Sequence, residues 1–129
     1  MYNKITLMGR LVSTPELKAT KAGVPVTSFS IAVDRRYKKK GEARQFDFFN
    51  IVCWRYNAEF VCKHFAKGSM ILVEGEMQTY RPATSGDGKN YTWYEVVADL
   101  VSFTGERRNN ERTDDTAPVI PEQDGITAL

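Results

Sequence analysis

Four large rings and two cations crowd into a stretch of twelve residues, Arg44 to Arg55, and their spacing suits stacking rather than covalent chemistry. Side chains of an extended chain alternate, so Phe49, Ile51 and Cys53 share one face while Phe46, Phe48, Asn50, Val52 and Trp54 share the other. One of those faces can fill an interior. The second, with rings interrupted by an amide and bracketed by Arg44 and Arg55, is a platform for flat, negatively charged partners, and bases strung on phosphates combine both properties. Phe48 and Trp54 are the candidate stacking rings, each such stack being worth roughly 1–3 kcal/mol. Phe46 and Phe49 are assigned to the core or to a subunit contact.

The densest positive cluster follows the same logic. Arg35, Arg36, Lys38, Lys39 and Lys40 surround Tyr37, so cations that neutralise phosphates flank a ring that can stack. A solvated hairpin tip is the plainer alternative for a charge run, and the embedded Tyr argues against it. Lys4, Arg10, Arg44, Arg55, Lys67, Arg81 and Lys89 are candidates to continue the track. Catalysis has little support. Cys53 lies on the inward strand face, Cys62 falls on an apolar helix stripe, and His64 stands near a helix C-terminus with no second histidine for a metal. Glu74 and Glu76 share a strand face without a nucleophile nearby, and read as exposed charges or salt-bridge partners. No enzyme activity, metal or cofactor is expected.

The elements that must position these residues are five strands and a helix. Residues 2–12 alternate Ile5, Leu7, Gly9 and Leu11 with polar neighbours, and residues 24–34 alternate Thr27, Phe29, Ile31 and Val33. Residues 44–54 form the third strand, joined to the second by the cationic loop 35–41. A helix over 57–67 follows from Ala58, Val61, Cys62, Phe65 and Ala66 at helical spacing, with Asn57 as its cap and Gly68 as a left-handed stop. Residues 70–80 bury Ile71, Val73 and Met77, with Gly75 marking a bulge or close approach, and residues 91–103 return as the last strand across a loop containing Pro82, Gly86 and Gly88. The predicted fold class is all-β: a five-stranded Greek-key barrel of the OB type, with one short helix between its third and fourth strands.

Bulk properties agree with one domain and an extension. The chain has 129 residues, 42% hydrophobic and 26% charged, and a net charge of +2. That charge is uneven: residues 1–105 hold 15 Lys and Arg against 10 Asp and Glu, whereas residues 106–129 hold 3 against 6. A basic domain over 1–105 therefore precedes an acidic tail over 106–129, which has no aromatic residue, carries Pro118 and Pro121, and is expected to be disordered. No apolar run is long enough to cross a bilayer and no secretory signal opens the chain, so a cytoplasmic location with reduced cysteines is expected.

Several segments in order resemble the bacterial single-stranded DNA-binding protein family: Asn3 through Leu11 with Pro15, Glu16 and Leu17; Phe29 through Val33; Phe48 through Trp54 leading into Ala58 and Glu59; Lys67 through Ser69; and Glu95 through Asp99. The resemblance covers nearly all of 1–105. It implies a homotetramer of OB-folds that coats single-stranded DNA without sequence preference in replication, recombination and repair. It also implies stacking by Tyr37, Phe48 and Trp54. A fourth family ring is displaced: Pro82 stands where a Trp or Tyr is usual, and Tyr80, two residues earlier on the same strand face, is its candidate substitute. The acidic tip through which the family recruits replication and repair proteins is altered, ending Asp124, Gly125, Ile126, Thr127, Ala128, Leu129 without a terminal Phe. Two other readings stay open on the residues alone: an OB-fold adaptor in primosome assembly, and an RNA-binding OB protein.

Overall fold

Strict alternation over several segments dictates a sheet with one apolar face, and five strands of that kind bury it by curling the sheet closed on itself. In a computed structural model describing residues 1–37, 39–81 and 92–106, the elements run β1 (Ile5–Leu11), β2 (Lys18–Ala19), β3 (Pro25–Asp34), β4 (Phe46–Trp54), α1 (Tyr56–His64), β5 (Met70–Tyr80) and β6 (Trp93–Ser102). The strands follow the order β1-β5-β6-β4-β3, and a pairing of β1 with β3 at Arg10↔Ala32 and Leu11↔Ile31 closes the ring. β4 and β6 run parallel, and the other pairings among the described residues are antiparallel. This is the expected five-stranded OB-type barrel. The two-residue β2, which pairs with the start of β3 through Lys18↔Val26 and Ala19↔Pro25, was not expected.

Register assigns the faces. Leu11, Ile31, Ile51, Ile71, Val73 and Val96 point inward and are buried. Cys53 joins them as the sequence pattern required, and burial, with Cys62 nearby, pushes its thiol up to about 12. Two glycines permit the closure. A Cβ on Gly9 would lie 2.6 Å from the Ala32 carbonyl oxygen, and one on Gly75 would lie 2.0 Å from that of Val97. Gly75 also sits at the register shift between β5 and β6, so the predicted bulge and close approach coincide.

The helix closes one end of the barrel with Ala58 and Val61, and Phe65 follows them into the core. Its ends differ from expectation. Residue Arg55 occupies the cap position without a capping side chain, because Asn57 lies inside the helix and its amide donates to the Ala98 and Asp99 carbonyls at 3.4 and 3.1 Å. The helix stops at His64, since Phe65 is extended, and Gly68 takes its positive φ in the turn beyond. Among the described residues no helix is long and apolar enough to cross a membrane. Apart from Glu106, the expected acidic tail lies outside the described residues, as do Lys38, Pro82 and Lys89.

Candidate nucleic-acid interface

The platform is built on the outer face of β3 and β4. Antiparallel register sets Phe48 opposite Ala32, Asn50 opposite Ser30, Val52 opposite Ser28 and Trp54 opposite Val26. Small Ala32 leaves Phe48 37% exposed and Trp54, at the strand end, is 42% exposed, with buried Val52 between them, while Ile51 and Cys53, facing inward from the same strand, are fully buried. The Ser30 hydroxyl donates to Asn50 Oδ1 at 2.7 Å, which fixes the amide between the two rings. Phe46 is half-buried with the Arg44 guanidinium 5.5 Å from its centroid, and Phe49 packs against the core. Beyond Trp54 the chain reverses into the helix through Arg55, whose φ of 56° is the one positive value at a non-glycine among the described residues. Such a conformation costs about 1–3 kcal/mol and sets the exposed Arg55 directly after Trp54.

At the far end of the same hairpin, Tyr37 is 78% exposed and lines a shallow depression with Arg35, Lys39, Glu42, Ala43 and Gln45. The cations divide into two groups. Arg35 grips Asp47, with Nη2 2.9 Å from Oδ1 and Nε 3.0 Å from Oδ2, and also donates to Gln45 Oε1 at 2.9 Å. That hydrogen bonding holds the Asp47 carboxyl below the usual carboxylate range. Arg44 pairs with Asp34, Lys4 with Glu74 at 3.6 Å, and Arg10 with Glu106 at 2.9 Å, where it also donates to the Gly68 carbonyl at 3.1 Å. By contrast, Arg36, Arg55, Lys67 and Arg81 are exposed and make no ion pair among the described residues.

Residues 2–104 match the single-strand binding protein family. The chain belongs to that family. Its relatives include single-stranded DNA-binding protein 2 of Listeria monocytogenes, 43% identical over 85% of this chain and 68% of the relative. The single-stranded DNA-binding protein of Thermotoga maritima is 43% identical over 95% of this chain and 89% of its own length. That of Staphylococcus aureus is 38% identical over 89% of this chain and 73% of its own.

Tyr80, the candidate substitute for the family ring near the last hairpin loop, is 50% exposed on the outer face of β5. Directly opposite it across the hairpin stands Trp93, 48% exposed, which sequence reasoning passed over. The signal was available: on a strand over 91–103, Trp93 shares a face with Glu95 and Val97. The residues weighed for catalysis are otherwise engaged. His64 packs its ring against Phe60 and Phe103 at 4.8 and 5.5 Å, and Glu74 meets Lys4. Among the described residues no cluster of three His, Cys, Asp or Glu could hold a metal ion.

Proposed function

We propose that this chain binds single-stranded DNA without sequence preference, with the strand running along the outer face of β3 and β4 from Trp54 past Phe48 to Tyr37. One observation carries the reading: β4 already completes the core with its inner face, yet leaves Phe48 and Trp54 open on its outer face, with exposed Arg55, which makes no ion pair among the described residues, directly after Trp54. Bases stack on the rings and phosphates meet the cations, and because every base has a π-face this selects for an unpaired strand and not for a sequence. The protein acts by binding, not catalysis. Coating of this kind keeps a strand from re-forming duplex during replication, recombination and repair.

A homotetramer is part of the proposal. Met8 and Leu100 are apolar, half-exposed and on the outer face of β1 and β6, which suits a contact between copies. Recruitment of replication or repair proteins is assigned to the acidic residues 106–129. Fluorescence titration with oligo-dT over a salt series, coupled to a solution mass, tests the reading. Quenching, with log affinity falling linearly in log salt, is expected. Absence of binding at low salt, or a preference for oligo-U at matched salt, would overturn it.

A further inference from the structure

We propose that Trp93 is a DNA-stacking residue that, together with Tyr80, carries the bound strand sideways from β4 over β6 onto β5. The inference rests on the single-stranded DNA reading above and adds a path to it.

The argument comes from register. Tyr80 and Trp93 are a directly opposed pair at the loop end of the β5–β6 hairpin, both on the outer face. Val96 pairs with Ile51 and Val97 with Val52, so the outer face of β6, which carries Trp93 and Val97, continues the outer face of β4, which carries Phe48 and Val52. Since β6 lies between β4 and β5 in the sheet, the proposed path takes Phe48, Trp93 and Tyr80 as a row across the outer faces of three neighbouring strands. All three rings are between about a third and a half exposed, and none makes a ring contact among the described residues. Paired strands stand about 4.8 Å apart, so the opposed rings of Tyr80 and Trp93 are within the reach of consecutive bases.

Charge decides the direction of the path. Immediately after Tyr80 comes Arg81, exposed and without an ion pair among the described residues, where a phosphate can be met. Further along the same outer face of the hairpin lie Glu95 and Glu76, which repel a phosphate chain. A polyanion that reaches Trp93 therefore runs across the strands at the level of the rings, and not lengthwise down β6. Tyr94, the next residue, alternates to the other face and is outside the row.

The chain has two tryptophans, Trp54 and Trp93, so each can be made the sole reporter. In full-length Trp54→Phe, oligo-dT is expected to quench Trp93 emission, and Trp93→Ala is expected to lower oligo-dT affinity about tenfold, the order of one lost base stack, with Trp93→Phe restoring most of it. If oligo-dT quenches Trp54 in the Trp93→Phe protein but leaves Trp93 unchanged in the Trp54→Phe protein, this inference fails and the DNA-binding reading stands. If neither reporter responds and no binding is found, the reading itself fails. Trp93 emission that shifts with protein concentration and not with DNA would assign the ring to a contact between copies and overturn the inference.

Discussion

Two aromatic regions of this small barrel have opposite fates. Beside the helix, Phe60, Phe65, Phe103, His64 and Tyr56 pack on one another with centroids 4.8–6.1 Å apart, while on the outer faces of the strands Phe48, Trp54, Tyr80 and Trp93 touch no other ring among the described residues. Aromatic content alone therefore does not mark a binding surface. A ring packed against other rings contributes to stability, and one on an outer strand face without a ring contact keeps a face for a ligand.

Substitutions should separate the two regions. Phe65→Ala in the helix cluster is expected to cost about 3–5 kcal/mol of stability by leaving a cavity, with oligo-dT affinity of the folded fraction unchanged; urea denaturation and titration of the same sample read both quantities. Trp54→Ala on the platform should do the reverse: a loss of roughly 1–3 kcal/mol in binding against a stability change within about 0.5 kcal/mol. Equal effects of both substitutions on binding would erase the distinction.

Smaller effects sharpen it on the electrostatic side. Asp47→Asn removes the carboxylate that occupies Arg35, so affinity for oligo-dT is expected to rise a few-fold at low salt, with the salt slope steeper by about one if the freed cation meets a phosphate. The native pair itself contributes little to stability, because it is exposed. Its sign is nevertheless defined: the depressed Asp47 carboxyl helps the folded state above the unfolded carboxylate pKa and loses that help as pH falls through the folded value. Smallest at neutral pH is the effect of Cys53. Its raised thiol favours the folded state fully below an unfolded pKa near 9.0, and that contribution is lost as pH climbs toward about 12. Iodoacetamide at pH 8 should therefore spare Cys53 in the native protein and modify it once urea has unfolded the chain, as peptide mapping would read.

Much of the barrel was legible in the residues. Period-two alternation located each barrel strand, since a one-residue slip would turn every core side chain outward, and the same count separated Phe48 and Trp54 from Ile51 and Cys53. The short β2 carried no periodicity to read. The helix ended early because its stripe continues into Phe65, which stays buried after the backbone has left the helix. Asn57 has the chemistry of a cap, but the carbonyls of β6 compete for its amide.

By itself the sequence determined which rings and cations share a face, because alternation along a strand is a local property of the backbone. Only the tertiary structure decided which of them are still available. Arg10 meets Glu106 across 96 residues, and Trp93 comes directly opposite Tyr80 through the β5–β6 pairing. Those relations depend on how the sheet closes, which places distant segments side by side and which no local pattern of residues encodes.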